Sequence, residues 1–271
     1  MQLIRGLYNI KPQHKGCVAT IGNFDGVHLG HQAVLKQLVN CAQKEKLPSV
    51  VITFEPLPPE YFHGEKAPAR ISRFREKFVL LDKYHIDRVL CLRFNSTLAC
   101  LPAEEFIKKI LVDALGIRTL VIGDDFCFGH QRRGDFSLLK KCGEQYGFSV
   151  LATETQQLEG QRIGSSRVRI ALANGQFKEA KQLLGHSYVM SGHVVHGDKR
   201  GRLLGFPTAN LFLKRRVIPL QGVFAVLVHG LSQKPLYGVA NVGRRPTVDG
   251  KQFLLEVYLF DFNQEIYGRY I

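Results

Sequence analysis

Over its first 155 residues the chain alternates strand-like runs with helix-like periodicity, and after about residue 185 the alternation stops. Cys17–Phe24 (CVATIGNF), Ser49–Phe54 (SVVITF), Arg88–Phe94, Thr119–Asp124 and Ser149–Thr155 read as strands. Between them His31–Lys46 carries Val34, Leu35, Leu38, Val39 and Ala42 at helical spacing, and Ser72–Tyr84 and Asp135–Tyr146 read as further helices. Pro102–Leu115 is a fourth, with proline at its start and Glu104 and Glu105 in its first turn. Such alternation implies parallel strands joined by crossover helices. The strands are apolar on both faces, so the sheet must be covered on both sides. The expected fold is a doubly wound, Rossmann-like α/β domain with ligands at the carboxyl ends of its strands.

The second part has a different grammar. Tyr188–Val195, Gly222–His229, Leu236–Val242 and Phe253–Phe262 are short β-rich pieces separated by turns that carry glycine and proline. They predict an antiparallel sheet or a small antiparallel β-barrel. Gln176–Gly185 reads as a short helix joining the two, which places the domains at residues 1–184 and 185–271.

Composition narrows the partners. Lys and Arg number 37 against 23 Asp and Glu, a formal charge of +14, which favours polyanions such as nucleic acid, acidic lipid or phosphorylated small molecules. With 45% hydrophobic and 22% charged residues the chain is an ordinary globular one. Cysteines 17, 41, 91, 100, 127 and 142 form no C-x-x-C pair and no zinc spacing, and read as reduced thiols. Met1–Lys15 lacks the long apolar stretch of a signal peptide, and no window reaches the length of a membrane span. A soluble, cytoplasmic protein is the expectation. No motif bears on oligomeric state.

The densest chemical signal is Gly22–His31, GNFDGVHLGH, where the first strand gives way to the first helix. Gly22, Gly26 and Gly30 let backbone approach a ligand closely, and a helix N-terminus turns free N–H groups toward an anion. His28 and His31, three apart, can serve one phosphate. No Gly-Lys-Ser/Thr follows, and the string is not G-x-G-x-x-G.

H-x-G-H in this setting resembles the signature of the nucleotidyltransferase superfamily. Thr53–Pro58 (TFEPLP), Pro68–Lys77 (PARISRFREK), Val121–Asp135 (VIGDDFCFGHQRRGD) and Ser165–Arg169 (SSRVR) follow it in order. Together they look like the FMN adenylyltransferase module of the bacterial bifunctional riboflavin kinase/FAD synthetases. Ser191–Leu211 (SGHVVHGDKRGRLLGFPTANL), Tyr237–Val248 (YGVANVGRRPTV) and Leu255–Gly268 (LEVYLFDFNQEIYG) resemble that family's kinase module. The resemblance spans essentially the whole chain.

What it implies can be set out by residue. In the first module His28 and His31 would be catalytic, with Gly22, Asn23, Phe24, Asp25, Gly30 and Asp125 around the nucleotide. Ser165 and Ser166 would cap a helix, and Arg167 and Arg169 would clamp the triphosphate. Pro56, Pro58, Phe62 and Phe128 would contact the flavin; Leu57 stands where the family usually has histidine. In the second module Gly197, Lys199 and Gly205 would bind nucleotide, and Asp261 and Tyr267 flavin. Thr208 and Asn210, two apart on an extended segment, face the same way, and their oxygens suit Mg²⁺ or another divalent cation carrying ATP phosphates. Alternation puts Glu256 with Tyr258 and Phe260, opposite Leu255, Val257 and Leu259; by resemblance Glu256 is the general base on the ribityl hydroxyl of riboflavin.

The implied partners are riboflavin, FMN, FAD and the co-substrate ATP, with neither nucleic acid nor membrane. The sequence stops at Arg269–Ile271, where the family normally continues for several tens of residues, so an impaired kinase module is one expectation. An adenylyltransferase alone, with the β domain as an appendage, is the second reading. A nucleic-acid-binding barrel is a third, disfavoured because the basic residues cluster in glycine-rich loops rather than between stacking aromatics.

Overall fold

The computed structural model describes residues 1–196, 208–247 and 250–271. The first half contains β1 (Gln2–Arg5), β2 (Cys17–Ile21), α1 (Leu29–Glu45), β3 (Ser49–Glu55), α2 (Pro58–His63), α3 (Phe74–Asp82) and β4 (Arg88–Arg93). There follow α4 (Ser96–Ala99), α5 (Ala103–Phe106), which runs on as a π-helical stretch Ile107–Ala114, β5 (Ile117–Gly123), α6 (Phe136–Tyr146) and β6 (Ser149–Thr153). A two-stranded hairpin, β7 (Gln157–Leu158) and β8 (Gln161–Arg162), leads into α7 (Ser165–Ala173) and α8 (Phe177–Leu184). The remainder is β9 (Val194–Val195), β10 (Thr208–Phe212), β11 (Gly222–Val228), β12 (Leu236–Thr247) and β13 (Gly250–Leu259).

Six parallel strands make the first sheet in the order β1-β4-β3-β2-β5-β6. The order reverses at β2, so the crevice where a doubly wound sheet binds ligands opens beyond β2 and β5. Alternate residues of each strand feed separate cores. Cys17, Ala19 and Ile21 pack with Ile107, Ile110, Leu111 and Leu139 on one face. Val18, Val51 and Val89 pack with Leu35, Leu38 and Leu81 on the other. The sheet is thus covered on both sides, as its apolar strands require. All six cysteines are unpaired thiols.

The second sheet is antiparallel and, among the described residues, five-stranded, in the order β11-β12-β13-β10-β9. Its inner face, with Leu211, Ala240, Val242, Leu255 and Val257, shares one core with Val168, Leu172, Leu183 and Leu184 of α7 and α8. Those two helices therefore pack against the second sheet although they precede it in the chain. Beyond β9, residues 268–271 add a further run of backbone bonds: Ile271 N–H to Gly192 O at 3.0 Å and Val194 N–H to Arg269 O at 2.9 Å.

Two expectations differ from what is found. The sixth strand, β1, has only four residues with charge at its end, too short for a periodic signal. Tyr188–Val195 is strand only at Val194–Val195, because Ser191 is tied by its side chain to Glu76 of the first module and the Tyr188 hydroxyl is taken by Arg215, the partner of that same Glu76. Gly197, Lys199 and Gly205 lie outside the described residues.

Candidate active sites

The loop after β2 is pinned before α1 begins. Phe24, Gly26 and Val27 all have left-handed φ, at 46°, 79° and 44°. At Gly26 a side chain is excluded twice, since a Cβ would also lie 2.7 Å from Ile71. The Asp25 carboxylate accepts from the backbone N–H of Ile71 at 3.0 Å and of Ser72 at 2.9 Å. It also meets Arg169 at 2.7 Å, and Gly26 N–H donates to Ser72 Oγ at 2.8 Å. Asp25 thus acts as a buried anchor of the loop.

His28 is the N-cap of α1. Its Nδ1 accepts from the His31 N–H at 3.3 Å, so its proton sits on Nε2. The two imidazoles stack with centroids 3.6 Å apart and planes 17° from parallel. Charging both rings at that separation is prohibitive. Burial pushes His28 down to about 4, opposed in part by Asp25. Burial, and then the neighbouring His28 and Lys77, push His31 well below the usual imidazole range. At neutral pH both rings are neutral, and each can offer an N–H donor. Gly30 keeps the helix entrance open, because a Cβ there would lie 3.2 Å from both His28 Nδ1 and Ile163 O.

Both histidines line a cavity of about 590 Å³ at the β2/β5 crevice. One part of its wall is polar: Gly22, Asn23, Asp124, Asp125, Arg162 and Ser165. Another is aromatic: Phe54, Phe62, Phe94, Phe106, Phe126 and Phe128, with Pro58 beside them. Phe62 lies with its ring edge-on to Phe94 at 5.7 Å and is 60% exposed, while Phe126 and Phe128 stack at 5.5 Å. Arg162, on the β7–β8 hairpin, reaches Asp125 at 2.5 Å across the polar part.

The structure gathers Gly22, Asn23, Phe24, His28, Gly30, His31, Pro58, Phe62, Asp125, Phe128 and Ser165 around this cavity. It does not place Asp25, Pro56, Ser166, Arg167 or Arg169 in its lining. Arg167 meets Glu179 at 3.0 Å and donates to Leu158 O at 3.0 Å; Arg169 is taken up by Asp25 and Ala69 O. Gly164, not a serine, is the N-cap of α7, and Ser165 hydroxyl donates to Asp25 O at 3.3 Å. Leu57 is buried. The sequence reading missed Arg162, Phe94 and Phe54. The phenylalanines were findable, since each closes or follows a strand whose carboxyl end faces the crevice. Arg162 sits on a two-residue strand and carries no pattern of its own.

The second constellation is a row across three strands. Register places Asn210 of β10 and Asn241 of β12 opposite Glu256 of β13 on either side. Paired residues of adjacent strands share a face, so all three project together, with Thr208 opposite Tyr258 next along. Asn241 Nδ2 donates to Glu256 Oε2 at 3.2 Å. Asn210 spends its amide nitrogen on Thr208 O at 3.2 Å, which leaves Oδ1 as an acceptor. Thr208, Asn210 and Glu256 therefore form one set of hard oxygen donors. Asp261 follows β13 in a left-handed turn (φ 50°), and Tyr267 packs on His196 with ring centroids 3.9 Å apart.

Comparison with known proteins treats both halves. A family model described as FAD synthetase matches residues 10–167, and one described as riboflavin kinase matches residues 184–271. The bifunctional riboflavin kinase/FMN adenylyltransferase of Escherichia coli (strain K12) is 52% identical over all of this chain and 87% of its own length. That of Haemophilus influenzae is 48% identical over 100% and 88%. Among solved structures, a crystal structure described as a macrolide-efflux protein from Streptococcus pneumoniae superposes with a TM-score of 0.83 at 33% identity, covering 100% of this chain and 88% of that one. Among the described residues no helix is long and apolar enough to cross a membrane.

Proposed function

The chain belongs to the bifunctional riboflavin kinase/FMN adenylyltransferases, and from that premise we propose which of its residues carry each reaction. The two activities produce FAD from riboflavin. The kinase transfers the γ-phosphoryl of ATP to riboflavin, giving FMN and ADP. The adenylyltransferase joins FMN to the AMP portion of ATP and releases pyrophosphate.

The observation that carries the first assignment is the stacked, neutral pair His28 and His31 at the start of α1, inside the crevice at the strand-order reversal. An FMN phosphate oxygen attacks the α-phosphorus of ATP, and negative charge gathers on the phosphoryl oxygens. Such chemistry asks the protein for position and for oriented donors. His28 Nε2–H, a His31 ring N–H and the open N-terminus of α1 supply donors; Arg162 supplies charge by exchanging Asp125 for phosphate. Gly22, Asn23, Phe24, Gly30, Asp125 and Ser165 complete the nucleotide side. The aromatic wall, with Pro58, Phe62 and Phe128, takes the isoalloxazine by stacking. Asp25 and Arg169 act one step back, by holding the loop.

In the second module Glu256 Oε accepts the proton of the ribityl hydroxyl as that oxygen attacks the γ-phosphorus. Asn241 orients the carboxylate. Thr208 and Asn210 present the oxygens a hard divalent cation takes, and Mg²⁺ there would shield phosphate charge. Domain limits at 1–184 and 185–271 fit this division of labour.

The test is chromatographic. Chain incubated with Mg-ATP and FMN is expected to yield FAD, and with riboflavin to yield FMN first. His28→Asn should sharply slow only FAD formation, and Glu256→Gln should stop only FMN formation. Loss of both activities in either variant would overturn the assignment of separate sites.

A further inference from the structure

Lys77 ends the segment Pro68–Lys77 and does not line the cavity. It lies on α3 behind the histidine loop, 1% exposed, and yet it carries an ammonium. Its Nζ donates to Thr53 Oγ1 at 3.2 Å, and the Thr53 hydroxyl donates in turn to the Asn23 carbonyl at 3.4 Å. Thr53 is on β3, itself fully buried, and Asn23 is part of the cavity wall. A relay therefore runs from a buried cation through one hydroxyl to the peptide that precedes Phe24. A fully buried ammonium is expensive unless it is paired and hydrogen-bonded. Two carboxylates lie close enough to favour it, Asp25 and Glu55; Arg70 opposes them. Burial draws the ammonium down to about 8, so it is still protonated at neutral pH.

We infer that Lys77 is a positioning residue of the adenylyltransferase site: through Thr53 it fixes the Asn23 carbonyl, and at neutral pH it stands as a positive charge acting on His31. The inference rests on the adenylyltransferase reading of the cavity. The charged and titratable groups that bear on the pair are known. Asp25, Arg162 and Arg169 act on His28; His28, Lys77 and Arg169 act on His31; Asp25, Arg70, Glu55 and Cys91 surround Lys77. Lys77 thus discourages protonation of His31, the form that would repel its stacked neighbour. The relay also stiffens the loop whose backbone approaches the nucleotide.

Two variants separate the roles. Lys77→Met keeps most of the length of the side chain and removes the charge. It is expected to lower kcat/KM for FMN adenylylation roughly 10²-fold, as misplaced groups do. It should also move the acid limb of the pH–rate profile upward, since loss of a nearby positive charge eases protonation of His31. Thr53→Val breaks the relay and leaves the charge; it should lower kcat about tenfold with the acid limb in place. FMN formation from riboflavin, measured on the same preparations, reports whether the fold is intact. A Lys77→Met chain with normal kinase rate and an unmoved acid limb overturns the electrostatic role. A Thr53→Val chain with the parent's rate overturns the positioning role. If Lys77→Met does not fold, Lys77→Gln takes its place for the electrostatic role, and Thr53→Val decides the positioning role. Parent chain that makes FMN but no FAD would sink the underlying reading, and this assignment with it.

Discussion

His28 does two jobs with one ring: Nδ1 caps α1, and Nε2 carries the proton that the cavity can use. The jobs can be separated. Asparagine is among the best N-caps, so His28→Asn should leave thermal stability at pH 7 nearly unchanged. It should lower FAD formation by roughly 10²–10³-fold, the cost of one preorganised donor at a charged transition state. The ring also makes the fold acid-sensitive in a defined direction. In the unfolded chain His28 has the ordinary value of 6.5, and in the fold it lies near 4. Between those values the unfolded chain binds more protons, so the contribution is fully present above pH 6.5 and is lost as pH falls toward 4. It amounts to about 3 kcal/mol. Urea unfolding across that range should show a shallower loss for His28→Asn than for the parent; identical slopes would refute the burial account. The paired histidines were legible in the sequence because H-x-G-H at a strand-to-helix turn is a local pattern. Arg167 and Arg169 read equally well as a clamp. What the sequence could not show is that Glu179 and Asp25 already hold them, since partners 12 and 144 residues away leave no local trace.

Segment Pro68–Lys77 explains how the modules are joined. Glu76 of α3 is buried, yet four donors meet it: Arg73 N–H at 2.6 Å, Ser191 N–H at 2.9 Å, Ser191 Oγ at 3.1 Å and Arg215 Nη2 at 2.5 Å. Arg215 comes from the second module, is fully buried, and also donates to Arg70 O, Ile71 O and the Tyr188 hydroxyl. Nearby, the Arg75 guanidinium lies 4.1 Å from the centre of the Tyr270 ring. Such a pair is weak evidence for stability as a whole, but breaking one side is costly because the other charge stays buried. Glu76→Gln is therefore expected to cost about 3–5 kcal/mol, and Glu76→Met with Arg215→Met to recover most of it. A double-mutant cycle in denaturant checks this; additive losses would remove the pairing argument. The elements themselves were largely legible, because β2, β3, β4, β5 and β6 are long apolar runs and α1 and α6 keep helical period. Residues 188–193 were not. Their apolar content says strand, but Tyr188 and Ser191 are spent on the buried ion pair, and that competition is tertiary.

At the scale of the whole molecule the two reactions are kept apart. Every residue lining the adenylyltransferase cavity lies between positions 21 and 165, all in the first module. The Thr208–Asn210–Glu256 row stands on a different sheet, on the face opposite the core that α7 and α8 share. Among the described residues none belongs to both, so FMN made at the second site is expected to reach the first through solvent. The consequence is testable by complementation. Glu256→Gln makes no FMN, and His28→Asn adenylylates very slowly, so neither alone should carry riboflavin through to FAD at a useful rate. An equimolar mixture should, after a lag in which FMN accumulates in solution, and added FMN should abolish the lag. A mixture that makes no FAD, while each variant keeps its own half-reaction, would mean that FMN passes within one chain without release. The separation of lining residues would then be a poor guide to the route, and the modules would have to approach each other during turnover.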